Sequence, residues 1–143
     1  MVPNQPEPEL SRTTMEDLAP PRVLIVDDER LIRWATGKAL IMWGCVVHEA
    51  GDAREALQIA AGTPGGFDAV LLDLKLPDSD DLGLLRQLRI CLPAARIVLM
   101  TAFGSEGTRA EALAMGAFRV IRKPFDVKAL AAMVVEAHRS GPG

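Results

Sequence analysis

Val23-Leu-Ile-Val-Asp-Asp-Glu29 is the stretch from which the fold can be read. Four apolar residues stand on consecutive positions, and three acids follow at once. A strand with one wet face would alternate apolar and polar residues. A consecutive run suits a strand of a parallel sheet that is covered on both faces. Similar short runs recur at 46–49, 69–72, 97–100 and 118–121.

Longer amphipathic stretches separate these runs, and five helices are expected. The first spans about 30–43, with Leu31, Ala35, Ala39 and Met42 on one apolar stripe. The second starts at Asp52, an N-cap with Glu55 three residues on as a capping box. The third follows Asp80 and carries Leu82, Leu85 and Leu88. The fourth covers about 106–114. The fifth follows Asp126, another N-cap, with Leu130, Val134 and Ala137 in register. Five strands alternating with five helices predict a doubly wound α/β domain. Five units favour the flavodoxin-like strand order 2-1-3-4-5 over the six-stranded dinucleotide-binding order.

Bulk properties set the frame. The 143 residues are 49% apolar and 24% charged, ordinary for one soluble domain. A net charge of -3 argues against direct nucleic-acid binding by this chain. Residues 1–20 hold four prolines and few large apolar groups and read as a disordered leader. Residues 21–139 form the domain, and 140–143 a short polar tail. No run approaches the ~20 apolar residues of a membrane span, and prolines and acids fill the place of a signal peptide. A cytoplasmic location is expected. Cys45 and Cys91 lack partners at metal-ligand spacing and read as buried free thiols.

In a sheet of this order, ligands bind at the C-terminal edge of the strands. The first strand ends in Asp27, Asp28 and Glu29, the third in Asp73, the fourth in Thr101, the fifth in Lys123 and Pro124. Four adjacent strands therefore bring these groups to one patch. Carboxylates crowded together repel, and a hard divalent ion relieves them. Mg2+ prefers oxygen ligands and keeps positions open for phosphate oxygens. A metal, a carboxylate nucleophile, a lysine and a hydroxyl can move a phosphoryl group onto Asp73. Singly, each residue has a plainer reading as a helix cap or a solvated charge; their joint position carries the inference.

At these residues the sequence resembles the receiver domains of two-component response regulators. Similarity covers about 22–139. It rests on Val23-Leu-Ile-Val-Asp-Asp-Glu29, Leu71-Leu-Asp-Leu-Lys-Leu-Pro-Asp78, Val98-Leu-Met-Thr-Ala102, Gly116-Ala117 and Lys123-Pro-Phe125. Glu29-Arg-Leu-Ile-Arg-Trp34 and Gly116-Ala-Phe118 are similar to the nitrogen-regulatory class of activators. The resemblance implies that Asp73 is the phosphoacceptor. Asp28 and Asp73 would bind Mg2+ directly, Asp27 mostly through water, and the Lys75 carbonyl would complete the set. Thr101 and Lys123 would hold the phosphoryl oxygens. A sensor histidine kinase or phosphotransfer protein would supply the phosphoryl group, meeting the first helix near Arg30 and Arg33. The resemblance also implies a cis Lys123-Pro124 bond and a shifted fourth helix, fifth strand and fifth helix, the face for a homodimer or an output domain. The chain would be a phosphoprotein of transcription regulation, catalysing only its own phosphorylation and dephosphorylation. Lys75 and Phe103 flank the pocket and could shield an acyl phosphate from water.

Two departures stand out. Val120 replaces the aromatic switch residue that the family carries three positions before the lysine, and Phe118 reads as core or interface rather than a substitute. Asp81 replaces a common glycine, and Asp78-Ser-Asp-Asp81 reads as a helix-capping acidic loop. They leave open a non-phosphorylated pseudo-receiver that keeps the fold as an interaction module. An aspartyl-phosphate phosphatase would need a second Asp where Lys75 stands. A nucleotide-binding domain would need a glycine-rich loop after the first strand, where three acids stand instead. His48 and His138 read as structural or solvated. Trp34 and Trp43 read as packing on or covering the first helix.

Overall fold

The computed structural model of the chain describes residues 19–79, 82–102 and 106–139. The proposed leader up to residue 18, the tail 140–143, Asp80, Asp81 and Phe103 lie outside them. Among the described residues, five strands and five helices alternate. They are β1 Arg22–Val26, α1 Arg30–Met42, β2 Val46–Ala50, α2 Ala53–Gly62, β3 Ala69–Asp73, α3 Gly83–Cys91, β4 Arg96–Thr101, α4 Glu106–Ala114, β5 Arg119–Arg122 and α5 Val127–Arg139. The strands form one sheet in the order β2-β1-β3-β4-β5, and all four pairings are parallel.

The consecutive apolar runs have a direct cause. Successive side chains of a strand point to opposite faces. Leu24, Val26, Val70, Leu72, Ile97 and Leu99 face one core, under α2, α3 and α4. Val23, Ile25, Leu71, Val98 and Met100 face a second core, under α1 and α5. Each central strand thus needs apolar residues at every position. The edge strands β2 and β5 need fewer, and they carry His48, Glu49, Arg119 and Arg122, charged or polar groups that discourage edge pairing.

Capping chemistry sets the helix ends. Asp52 accepts the Glu55 N–H at 2.8 Å, as expected. The reciprocal bond is displaced by one residue, because Glu55 accepts from the Gly51 N–H at 2.8 Å. Asp78 adds a cap from another loop: its carboxylate accepts the N–H groups of Ala53 and Arg54 at 2.8 and 3.1 Å. These bonds, that from Ala53 foremost, hold the Asp78 carboxyl below its ordinary pKa. Asp126 caps α5 through the Lys128 N–H at 2.9 Å. After α1 and α4, Gly44 and Gly116 take φ of 93° and 106°. Each donates to the carbonyl three residues back, and the next residue donates to the carbonyl five back, closing two Schellman motifs.

Two expectations are corrected. The stripe on α1 packs only in part: Ala39 lies against the second core and Ala35 is half-buried, but Leu31 and Met42 are exposed, while Thr36, Gly37 and Leu40 are buried. Gly37 lets the helix approach the sheet, since a Cβ there would lie 3.5 Å from Val47 and 3.6 Å from Ile25. Of the thiols, only Cys45 is buried, its pKa raised by burial and by Asp68. Cys91, the last residue of α3, is exposed.

Candidate functional site

Backbone bonds carry the parallel ladder past the strand ends. Asp27 N–H donates to Ala50, Leu74 N–H to Met100, and Lys123 N–H to Thr101, at 3.1, 2.9 and 2.8 Å. Together with the β1-β3 pairing, these bonds fix the termini of β1, β3, β4 and β5 side by side. Asp27, Asp73 and Thr101 are buried although polar. Asp73 and Thr101 open onto a pocket of about 650 Å³ lined also by Asp28, Glu29, Lys75, Pro77, Ala102 and Lys123; Asp27 is fully buried behind it.

Lys123 is the hub. Its Nζ lies 3.0 Å from Asp27 Oδ2, 3.2 Å from Asp73 Oδ2 and 3.4 Å from Glu29 Oε1. Burial pulls its pKa down, but Asp27 and Asp73 more than reverse this, and the net shift is upward. Asp73 shifts the other way from most carboxylates. Burial and the charge of Asp27 raise it, the Lys123 ammonium and the Lys75 N–H offset part of this, and the result is about 6. The Lys75 N–H donates to Asp73 Oδ1 at 3.2 Å. Asp27 is held on both sides, since its Oδ1 accepts the Glu29 N–H at 2.9 Å. The Lys123-Pro124 bond is cis, as the resemblance implied.

Asp27, Asp28 and Asp73 each offer a carboxylate oxygen, and these atoms lie within 4.8 Å of one another. A carboxyl that burial, and after it the charge of Asp27, push to about 6 fits a divalent cation. The donor set is all oxygen, which suits Mg2+.

Other expected residues fall into place around the pocket. Lys75 is exposed at its rim, and its N–H and carbonyl belong to the loop after β3. Leu76 and Ser79 bond each other in that loop, N–H to carbonyl, at 2.7 and 3.3 Å. The turn so formed carries Asp78 to α2, as the capping reading expected; Asp81 lies outside the described residues. Val120 is half-buried and packs against the α2-α3-α4 core. Beside it a groove of about 500 Å³ runs between α4 and β5, lined by Thr101, Glu106, Thr108, Arg109, Ile121 and Arg122. Arg109 spans it and donates to the Val120 carbonyl at 3.1 Å. Phe118 stands just before β5, its ring centroid 5.3 and 5.4 Å from the guanidinium carbons of Arg96 and Arg119. That is the opposite end of β4 from Thr101, and the ring is 38% exposed, so Phe118 is not a core residue.

Arg33 is tied within the domain. Its Nη1 donates to the Asp27 carbonyl at 2.7 Å, and its Nε pairs with Glu49 at 3.1 Å. It braces the β1 terminus, and Arg30 remains exposed. Glu29, beside Lys123, was expected in the patch but given no role there. Its place directly after the two acids was the available signal. His48 packs edge-on against Phe67, and His138 lies 3.6 Å from Asp68, both structural as expected.

The model of the response regulator receiver domain matches residues 23–135. The chain belongs to this family. Among its relatives are the regulatory protein AtoC of Escherichia coli strain K12, 36% identical over 116 residues, and NtrC of the same strain, 36% identical over 118. The matches cover 81% and 80% of this chain but only 25% and 24% of those proteins, so the chain spans about a quarter of their length. A CheY-like receiver from Methanospirillum hungatei is 28% identical with a TM-score of 0.79, over 87% of this chain and all of that one. A Burkholderia pseudomallei response regulator, solved with a phosphorylated aspartic acid, a calcium ion and citrate, is 28% identical. Its TM-score is 0.72, over 84% of this chain and 72% of that one. Among the described residues, no helix is long and apolar enough to cross a membrane.

Proposed function

We propose that this receiver is a phosphorylation-dependent switch with Asp73 as its phosphoacceptor. One observation carries the reading: a buried carboxylate, a lysine within 3.2 Å of it and two further acids share an open pocket at the strand ends. The Burkholderia relative, with its phosphorylated aspartic acid and divalent ion, supports it.

Asp28, Asp73 and the Lys75 carbonyl would hold Mg2+, with Asp27 acting mostly through water. The ion supplies positive charge for the phosphoryl oxygens. The chain's own groups do the rest. Asp73 attacks phosphorus as the ionised carboxylate, and the donor's imidazole leaves with the electron pair of the broken P–N bond. Lys123, already placed between Asp27 and Asp73, turns one N–H to a phosphoryl oxygen, and the Thr101 hydroxyl donates to another. Asp27 keeps the ammonium in place. The added charge is close to two units, and it biases the loop after β4 and the α4-β5-α5 face. Val120 gives that face no ring to turn inward, and the Arg109 tie across the groove is the available link to α4.

The donor is a histidine kinase or phosphotransfer protein, and the setting is cytoplasmic. The output is transcriptional control through a further domain or a homodimer, and the chain turns over no other substrate. Val120 is the observation favouring the alternative, an unphosphorylated interaction module. Incubation with acetyl phosphate and Mg2+, followed by intact mass, separates the two. The switch predicts a gain of roughly 80 Da that is absent in Asp73→Asn. No gain in the wild type favours the module.

A further inference from the structure

The acidic pocket depends on a short turn whose backbone is held from several sides. Asp27, Asp28 and Glu29 leave β1 one after another, and the peptide groups that join them are hydrogen-bonded in succession. The Asp27 N–H donates to the Ala50 carbonyl at 3.1 Å. The Glu29 N–H donates to Asp27 Oδ1 at 2.9 Å. Between them, the Asp27 carbonyl accepts from Arg33 Nη1 at 2.7 Å. The first bond extends the sheet, and the second is local to the turn. The last comes from a side chain of α1.

That carbonyl matters because of what shares its plane. A peptide group is rigid, so the Asp27 C=O and the Asp28 N–H turn together. Asp28 is the exposed member of the acids whose oxygens lie within 4.8 Å of one another. Asp27 and Asp73 are buried and held by Lys123. The direction of the Asp28 carboxylate follows from the backbone that carries it. Rotating the peptide between 27 and 28 would swing it out of the cluster.

Arg33 is itself built into place. Its side chain is 18% exposed, and its Nε pairs with Glu49 on β2 at 3.1 Å. A guanidinium is planar and offers donors at fixed angles, so it can hold a carboxylate and a carbonyl at once. Gly51 leaves room for it, since a Cβ there would lie 3.3 Å from Nη1. The Arg33 N–H donates to the Glu29 carbonyl at 3.0 Å, so this residue grips the turn at both ends.

We infer that Arg33 is a positioning residue for the cation: through the Asp27 carbonyl it aims the Asp28 carboxylate into the pocket, and Glu49 sets the guanidinium. The inference rests on the Mg2+ reading of that pocket. Arg33 acts without touching the ion or the phosphoryl group.

Charge gives the test its sign. Arg33→Met removes a positive charge near the acids, which by charge alone would tighten Mg2+ binding. Loss of position weakens it. The experiment titrates the full chain and its variants with MgCl2. It reads the dissociation constant from backbone amide shifts in NMR spectra, which also show whether each variant is folded. We expect Arg33→Met to bind about tenfold more weakly, the scale seen when a partner behind a metal ligand is lost. Arg33→Lys keeps the charge without the fork and should lose about threefold. Gly116 stands before β5, at the opposite end of the strands. Gly116→Ala should keep the wild-type constant although it is less stable, which separates positioning from general destabilisation. Unchanged or tighter binding in Arg33→Met overturns the inference, as does the same result in Arg33→Lys should the methionine variant not fold. Equal weakening in Gly116→Ala and Arg33→Met overturns it too. A wild-type chain whose amides do not respond to Mg2+ overturns the reading of the pocket, and the inference with it.

Discussion

Replacing Asp73 by asparagine removes a carboxylate that the fold holds at a cost. Its pKa rises from 3.8 to about 6 because it is buried beside Asp27. A carboxyl with a raised folded-state pKa binds more protons folded than unfolded between those two values. Stability therefore falls as pH rises through that window, and the whole penalty is present above about pH 6. At about 1.4 kcal/mol per unit, the shift amounts to about 3 kcal/mol at pH 7.5 and about half of that at pH 5. The amide oxygen of asparagine can still accept from Lys75 and Lys123. The variant should thus be more stable than the wild type by about 1–3 kcal/mol at pH 7.5, and the gain should shrink steadily toward pH 4. Urea unfolding of both proteins in EDTA, across that range, measures it. A variant less stable at pH 7.5, or a gain that does not change with pH, would refute the reasoning.

Mg2+ at about 100 times its dissociation constant should add about 2.7 kcal/mol to the wild type, and far less to Asp28→Asn, in the same unfolding assay. Lys123→Ala leaves two buried carboxylates facing each other. It should cost about 2–4 kcal/mol in EDTA at pH 7.5, with the loss reduced by Mg2+. Thr36 Oγ1 is buried without a hydrogen-bond partner among the described residues. Thr36→Val should therefore raise stability by up to about 1 kcal/mol, read from the urea midpoint. Gly116 has φ of 106°, and a Cβ there would lie 3.0 Å from Arg89 Nε. Gly116→Ala should lower stability by about 1–2 kcal/mol, seen as a lower thermal midpoint.

The strand order and the pocket were legible because both follow from local features. Consecutive apolar residues in β1, β3 and β4 require two covered faces, and the topology then brings the strand ends together. The α1 stripe was misread because periodicity finds an apolar face without saying which way it points. Leu31 and Met42 kept the helical spacing, but Gly37 is the residue that lets the helix close on the sheet. Arg33 could not be placed from sequence, since its partners, the Asp27 carbonyl and Glu49, lie on neighbouring strand ends. The Asp78 cap on α2 is likewise a long-range contact, across 25 positions. Cys91 had apolar neighbours in sequence, but the helix turns it outward.

The phosphoacceptor assignment is tested most directly by locating the acyl phosphate. The chain would be treated with acetyl phosphate and Mg2+, reduced with borohydride and mapped by peptide mass spectrometry. Homoserine at position 73 is the predicted product, and its absence from Asp73→Asn is the control. An unreduced Asp73 in the wild type, or a label at Asp27 or Asp28 instead, would contradict the account.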